Sequence, residues 1–463
     1  MKNRNMKIRN IRCLLFLLTL LVLSACNDVT EYDIPSVDAP VLVSTTPEAN
    51  STNVKRGNIT VLLEFDKNIF FATKNSDQIA LSGATLVSAD VIGSSNVFTM
   101  EIKCSERESQ ISINIPEGLI TGPQDKPAPA VSLSFTTAAL DKTPVMATTE
   151  KALKLYDYLL ENSENKTLSG MMANVAWNTD EADKVYQWTG KYPALNCFDY
   201  VHLAASVAGA NWIDYGDITP VKNWADNKGI VAAMWHWNVP KKAVNEGDVL
   251  DPNTDYAFYM SETEFNADNA TVEGTWENFI FTKDLAAVAA YLKLLHDADI
   301  PVLWRPFHEA AGGWFWWGKN ADSFKAMWVA MFDYFKAQGL NNLIWVWTTE
   351  GDDADWYPGD EYVDIIGRDL YGNSAADCAT EYSNICASYG NKMVALSECG
   401  YSEDTGTSVG TISEQWAAGA RWSWFMPWYD GASATTSHAD QEWWQDAMMQ
   451  DFVITREDLQ DLW

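Results

Sequence analysis

From residue 145 onward the chain alternates apolar runs with helical patterns, and this repeat narrows the fold more than any other feature of the sequence. The strand candidates are Thr167–Met172, Tyr192–Phe198, Gly229–Asn238, Pro301–Glu309, Leu343–Thr349, Val363–Tyr371, Met393–Cys399 and Ala420–Tyr429. Helical patterns fall between them at Thr149–Asn162, Phe281–Ala298, Ser323–Gln338 and Thr411–Gly419. Strands that are apolar at nearly every position have both faces covered, as in a parallel sheet under helices. Eight such repeats predict an α/β domain closed into a (β/α)8 TIM barrel. The longest insertion, residues 239–280, follows strand three and is expected to wall a cleft at the C-terminal ends of the strands, where such barrels place their chemistry.

Residues 39–137 have a different texture. Val41–Val43, Ile59–Phe65, Ala84–Val87, Val97–Ile102, Ile111–Ile115 and Val131–Thr136 are short, and several alternate apolar with polar residues. Turn residues such as Arg56-Gly57-Asn58 separate them, which predicts a small all-β sandwich. The 22 tryptophans follow the same division, since the first is Trp177. Two domains of different chemistry, 39–137 and 141–463, account for both observations. The stretch Ser44-Thr45-Thr46-Pro47-Glu48-Ala49-Asn50 ahead of Phe65-Asp66-Lys67 resembles a bacterial Ig-like module. Lacking an aromatic-rich patch, it reads as a spacer rather than a sugar-binding module.

The N-terminus reads as an address. Lys2, Arg4, Lys7, Arg9 and Arg12 precede the apolar run Cys13–Leu23, which is too short to span a bilayer. Leu23-Ser24-Ala25-Cys26 resembles the bacterial lipobox. That resemblance implies loss of a signal peptide at 1–25, lipidation of Cys26, and a tether over 26–38. The acyl chains would anchor the protein in the bacterial cell envelope without spanning it, on the outer membrane and facing outward.

The net charge of −31 becomes more negative once the five basic residues leave. Such a surface repels phosphate backbones, which excludes nucleic acid as the expected partner and suits a neutral ligand. Five cysteines follow Cys26: Cys104, Cys197, Cys378, Cys386 and Cys399. Their odd number and irregular spacing predict buried free thiols rather than a disulfide framework or a zinc site, with the close pair Cys378 and Cys386 left open. A monomer is the default expectation.

The residues best suited to chemistry begin at Leu303-Trp304-Arg305-Pro306-Phe307-His308-Glu309, followed by Gly312-Gly313-Trp314-Phe315-Trp316-Trp317-Gly318. Glu309 ends candidate strand four in aromatic surroundings, where desolvation raises a carboxyl pKa and suits it to general-acid work. His308-Glu309 lacks the second histidine of a zinc helix and sits on a strand, so no metal is expected, and nothing calls for a cofactor. Met393–Gly400 supplies a second carboxylate, Glu398, at the end of another apolar strand. Glu398 lies 89 residues beyond Glu309, the length of about three βα units, so the two would close strands four and seven. Paired carboxylates on facing loops are the requirement of glycoside hydrolysis.

Trp-Arg-Pro-Phe-His-Glu, the Gly-Gly-Trp-Phe-Trp-Trp-Gly segment and the later Ser-Glu-Cys-Gly resemble glycoside hydrolase family 26 over roughly residues 145–463. The resemblance implies a retaining endo-β-1,4-mannanase with Glu309 as acid/base and Glu398 as nucleophile. It further implies that His308 shapes the −1 sugar site and that His236, in Trp235-His236-Trp237-Asn238, lines the cleft. Tyr371 would hydrogen-bond the nucleophile, Trp314 would be the aromatic after strand four, and Trp428 would be the platform under the −1 sugar. The implied partner is a β-mannan polysaccharide or oligosaccharide: mannan, galactomannan or glucomannan.

Other tryptophans are weighed as packing. Trp345 and Trp347, and likewise Trp422 and Trp424, alternate so that each pair should share one face of its strand. Trp314, Trp316, Trp317 and Trp428 are expected to face the cleft, whereas Trp443-Trp444 is expected to pack. Glu350, Asp352, Asp353 and Asp355 read as an acidic loop rather than a calcium site. Two other functions stay open: an endo-glycanase of the same family acting on mixed-linkage β-glucan or β-1,3-xylan, and a surface glycan-binding protein without catalysis.

Overall fold

The computed structural model describes residues 35–205, 213–245, 255–431, 434–460 and 462. The signal peptide, Cys26 and most of the tether lie outside the described residues. The N-terminal module has two antiparallel sheets. One orders its strands β1 (Leu42–Thr46), β2 (Gly57–Phe65), β5 (Val97–Cys104) and β4 (Thr85–Asp90); the other orders β3 (Ala80–Ser82), β6 (Gln110–Ile115) and β7 (Val131–Thr136). Alternation along β2 and β5 turns Val61, Leu63, Phe98, Met100 and Ile102 inward against Ile111, Ile113, Leu133 and Phe135. β3 was not anticipated, because three residues are too few to show a period.

The barrel comprises eight parallel strands: β8 (Thr167–Met172), β9 (Leu195–Asp199), β10 (Ile230–Trp235), β13 (Val302–Pro306), β14 (Leu343–Thr349), β15 (Ile365–Tyr371), β16 (Met393–Gly400) and β17 (Trp424–Pro427). Pairing of Trp424 with Leu168 closes the ring. A two-residue strand, β18 (Val453–Ile454), adds to β8, and a short hairpin of β11 (Val239–Pro240) and β12 (Tyr256–Ala257) opens the long insertion.

Period-two alternation divides the core. Ile230, Ala232 and Met234 join Leu303, Ile344, Val346, Ile365, Met393 and Ala395 in the barrel interior. Their neighbours Val231, Ala233, Trp235, Trp304 and Trp345 face the helices. Helix α1 (Glu150–Asn162), capped by Thr149, packs Leu155, Tyr156 and Leu159 onto the interior cluster. Bonds from the backbone of Thr148 and Thr149 to Asn341, just before β14, place α1 at the N-terminal end of the barrel, where it closes the bottom. Around the outside run α2 (Asp180–Thr189), α3 (His202–Ala205), α4 (Thr219–Asp226), α5 (Trp276–Asp297), α6 (Ala321–Ala337), α7 (Ala375–Ser388), α8 (Ile412–Ala418) and α9 (Gln441–Met448).

Several expectations need correction. Strand four ends at Pro306, three residues short of Glu309, and Phe307 and Glu309 take left-handed backbone conformations (φ 50° and 52°). Trp422 precedes β17 and joins the helix-side cluster beside Tyr382, whereas Trp424 points into the barrel, so this pair does not share a face. Trp316 and Trp317 are fully buried rather than facing the cleft. α5 starts at Trp276, five residues before Phe281, because Thr275 caps it by accepting from the Asn278 amide. Trp345 and Trp347 do share the outer face, Trp443 and Trp444 are packed, and all five cysteines after Cys26 are buried and free.

The module docks on the bottom of the barrel. Arg56, only 5% exposed, pairs with Glu164 and donates to Cys386 Sγ on α7 at 2.8 Å. Arg107 donates to the carbonyls of Gly390 and Lys392 and to Glu164. Gly57 leaves no room for a side chain, since a Cβ there would sit 2.5 Å from that of Ala387. Among the described residues no helix is long and apolar enough to cross a membrane.

Candidate active site

Three carboxylates converge at the C-terminal end of the barrel: an oxygen from each of Glu309, Asp369 and Glu398 lies within 4.8 Å of the others. They arrive by different routes. Asp369 sits near the end of β15 and points inward by ordinary alternation. Glu398 would point outward by that rule, because Met393 and Ala395 are the inward residues of β16. A bulge between Arg368 and Asp369 in the β15–β16 register sets Glu398 directly opposite Asp369 and turns it into the cleft. Glu309 lies beyond its strand, and its left-handed backbone aims the carboxyl back over the barrel mouth.

Arg305, inward-facing on β13, organises the floor. Its guanidinium donates to Thr348 Oγ1 at 3.1 Å, to Asp369 Oδ2 at 3.0 Å and to Glu398 Oε1. Ser397 Oγ donates to the other Asp369 oxygen at 2.7 Å, and Tyr371 OH to the other Glu398 oxygen at 2.8 Å. Every carboxylate oxygen of Asp369 and Glu398 therefore has a donor. Among the described residues Glu309 receives only the Trp314 indole N–H, at 3.2 Å.

This asymmetry separates the two glutamates. Burial raises the pKa of both, and negative neighbours add to it: Asp369 and Glu398 act on Glu309, and Asp369 acts on Glu398. Arg305, His236 and the Tyr371 hydroxyl pull Glu398 back down, so it ionises first and the proton stays on Glu309. A protonated acid beside an ionised carboxylate at this spacing is the arrangement for double displacement at a sugar carbon, where the carboxyls stand ~5–5.5 Å apart, rather than for inversion, where they stand ~6.5–9.5 Å apart.

An aromatic wall adjoins the pair. His236 Nδ1 lies 2.6 Å from Asp199 Oδ2, and its backbone N–H donates to the other oxygen of the same carboxylate at 3.1 Å. The His236 ring meets His308 at 4.4 Å and Trp428 at 5.6 Å between centroids. Burial drives His308 well below the ordinary histidine pKa and keeps it neutral, with Nδ1 unpartnered among the described residues. Trp317 Nε1 donates to the His308 carbonyl at 2.8 Å and holds the turn that carries Glu309. Trp314 is 42% exposed and lies back over Gly312, whose missing Cβ makes room for the indole ring. The structure thus gathers Glu309, Glu398, Tyr371, His236, His308, Trp314 and Trp428 in one cleft.

Arg305, Asp199, Asp369 and Ser397 were not singled out from sequence. Arg305 carried a usable signal, because a charge within the strand segment Val302–Pro306 needs a buried partner. Glu350 was placed in an acidic loop, yet it is half-buried at the end of β14, pairs with Arg368 and is pushed up to about 7 by burial. Asp353 caps the same turn by accepting from the Thr349 hydroxyl and the Glu350 amide. His438 packs on Tyr371 at 5.6 Å, and Gly400 lacks a side chain where a Cβ would meet the His438 ring at 2.5 Å.

Both parts of the chain resemble known proteins. A model of the bacterial Ig-like domain matches residues 36–137. A mannan endo-1,4-beta-mannosidase of Thermothelomyces thermophilus is 33% identical over 67% of this chain and 61% of its own length. Mannan endo-1,4-beta-mannosidase B of a Piromyces species is 36% identical over 60% of this chain and 46% of its own. The chain thus spans about half to three-fifths of the length of these relatives. Among solved structures, the GH26 domain of an endo-beta-mannanase/endo-beta-glucanase from Prevotella bryantii is 45% identical, with a TM-score of 0.64 over 69% of this chain and all of that one. The glycosyl hydrolase family 26 model matches residues 145–458, the whole span that builds the barrel and its carboxylate pair, and the chain belongs to that family.

Proposed function

We propose that the protein is a retaining endo-β-1,4-mannanase acting on mannan, galactomannan or glucomannan. The observation that carries this reading is the carboxylate pair within 4.8 Å, one member bonded by Arg305 and Tyr371 and the other, among the described residues, bonded only by Trp314. Glu398 attacks C1 of the −1 sugar while Glu309 gives its proton to the leaving glycosidic oxygen. A covalent glycosyl–Glu398 ester forms as the C1–O bond breaks. Glu309, now ionised, takes a proton from water, whose oxygen attacks C1 and frees Glu398. Tyr371 and Arg305 hold the charge that Glu398 carries before attack and regains on release. His236, His308 and Trp428 line the −1 sugar, offering apolar faces to its C–H groups and ring nitrogens to its hydroxyls. The substrate class is supported by relatives named as mannanases.

The test is incubation of the soluble chain, residues 38–463, with linear mannan, galactomannan, mixed-linkage β-glucan and xylan, with the products resolved. Manno-oligosaccharides from the first two are expected. Cleavage of glucan or xylan alone would overturn the substrate, and binding without cleavage would overturn the catalytic reading.

The lipobox-like Leu23-Ser24-Ala25-Cys26 supports attachment of the protein to the bacterial outer membrane through lipidated Cys26. The module favours the same arrangement. β2 runs from Gly57, against α7, to Phe65, beside Val41, so the N-terminal segment enters about 26 Å along that strand, at the end remote from its contact with α7. A chain tethered there presents its cleft outward. Labelling with a palmitate analogue, lost in Cys26→Ala, is the expected result; equal labelling of both would exclude lipidation at that thiol.

A further inference from the structure

The insertion 239–280 carries an aromatic ring to the rim of the cleft that the carboxylate chemistry does not use. Phe258 contacts His236 at 5.4 Å, and its neighbour Tyr259 pairs with Phe315 across an isolated antiparallel bridge. The backbone N–H of Met260 donates to the Trp314 carbonyl at 2.8 Å, so the insertion is zipped to the segment that follows Glu309. Three rings then lie nearly parallel. Trp317, fully buried beneath His308, stacks on Phe315 at 4.4 Å and 19°, and Phe315 stacks on Tyr259 at 5.8 Å and 10°. The outermost ring, Tyr259, is 44% exposed. Phe315 also meets His308 at 4.9 Å, which puts Tyr259 two ring contacts from the catalytic centre.

Exposure of this kind is unusual in the barrel. Among the described residues, its strongly exposed large aromatics are Tyr186, Tyr259 and Trp314, and two of these three stand together on this rim. Elsewhere the barrel spends its aromatic rings on the core. A rigid ring held from beneath by a buried stack, with one side in solvent, suits the apolar C–H face of a pyranose.

We propose that Tyr259 is a specificity-determining platform for a sugar unit of the polymer outside the cleaved pair, extending the site along the wall built by the insertion. Its partner is a β-linked, uncharged hexose chain. The inference rests on the glycanase reading of the site and concerns chain length, not bond cleavage. Tyr259 supplies binding that only long substrates reach.

The experiment compares the wild-type chain with Tyr259→Ala and Tyr259→Phe on mannotriose, mannohexaose and linear mannan, with unfolding monitored alongside. Tyr259→Ala is expected to lower kcat/KM about 5- to 20-fold on mannohexaose and mannan, and to leave mannotriose within twofold. Tyr259→Phe, which keeps the ring, is expected to stay near wild type. Equal losses on all three substrates would mark a structural role, and unchanged kinetics on mannohexaose would remove the platform; either overturns the proposal. If the wild type cleaves no mannan, the glycanase reading fails separately. The platform is then read by affinity electrophoresis in gels containing mannan or glucomannan. There, loss of retardation in Glu398→Gln/Tyr259→Ala relative to Glu398→Gln supports the platform, and equal migration overturns it.

Discussion

Replacing Arg305 by methionine tests the electrostatic logic of the cleft most directly. The guanidinium is buried, and both its acidic partners are as well: the side chains of Asp369 and Glu398 are 1% and 5% exposed. Methionine keeps much of the volume and removes the cation. Breaking a buried ion pair from one side costs about 3–5 kcal/mol, because the remaining charges have no partner. Here two carboxylates share that penalty, and each can escape it by taking a proton. If about 2.7 kcal/mol falls on Glu398, its pKa rises by about 2 units. The proposed nucleophile would then be ~1% ionised at a pH 2 units below its new value, where the wild type is half ionised, and kcat/KM there would fall ~50-fold.

The sign is specific. The acid limb of the kcat/KM profile reports ionisation of the nucleophile in the free enzyme, so losing Arg305 moves that limb to higher pH, and part of the activity returns as pH rises. The assay is reducing-sugar release from mannan across pH, beside a urea unfolding curve for each variant. Arg305→Lys keeps a charge but cannot bridge both carboxylates and should fall between the two. An acid limb that stays in place in Arg305→Met, with activity lowered equally at every pH, would refute the role given to the guanidinium.

Tyr371→Phe removes one donor to the charged form of Glu398, and a hydrogen bond to a charged group is worth about 1.5–3 kcal/mol; turnover should fall about 10- to 100-fold with little change in the urea midpoint. Trp345→Ala empties a site packed by Trp328, Phe332 and Phe335 on α6 and should destabilise the barrel by about 3–5 kcal/mol, read as a lower urea midpoint. Arg56→Ala together with Arg107→Ala removes both cations that join the module to Glu164, and with them the bond to Cys386; calorimetry should then show two separated transitions, with cleavage of short oligosaccharides unchanged. A single transition at the original temperature would mean that this contact does not couple the domains.

The barrel was legible in the sequence because its strands are buried on both faces. Runs such as Leu343–Val346 and Met393–Leu396 are apolar at every position, as strands of a parallel sheet under helices are. Helices α2, α3, α4, α7 and α9 were not read from it. α7 carries a weak apolar stripe interrupted by Asp377, Thr380 and Glu381, and α4 and α9 have eight residues each, too few for a clear period. Glu309 and Glu398 stood out because each follows an apolar run, but their supports did not. Asp199, Thr348 and Ser397 meet their histidine, arginine and aspartate across neighbouring strands, and only the pairing of those strands, which the sequence does not spell out, brings them together. Tyr371 was found through resemblance alone; nothing in its local pattern distinguishes it from other strand-end tyrosines.

The two glutamates looked alike in sequence, each at the end of an apolar strand, and the structure shows why they differ in chemistry. A regular strand would leave Glu398 among the helix-facing residues, beside Leu396. The bulge at Ser397 re-aims it onto Arg305, where its charge is held from two sides. Glu309 instead leaves the strand after Pro306 and turns over the barrel mouth in a left-handed conformation that the buried Trp317 indole helps to hold. Among the described residues, that position gives it one donor, the Trp314 indole, and no cation in direct contact. One carboxylate is the first to ionise because an irregularity inside a strand brings it down to an arginine. The other keeps its proton because an irregularity beyond a strand lifts it away from one. Straightening either backbone departure would leave both residues in the sequence and abolish the pair, so the proposed acid and nucleophile are properties of these two local irregularities as much as of the glutamates themselves.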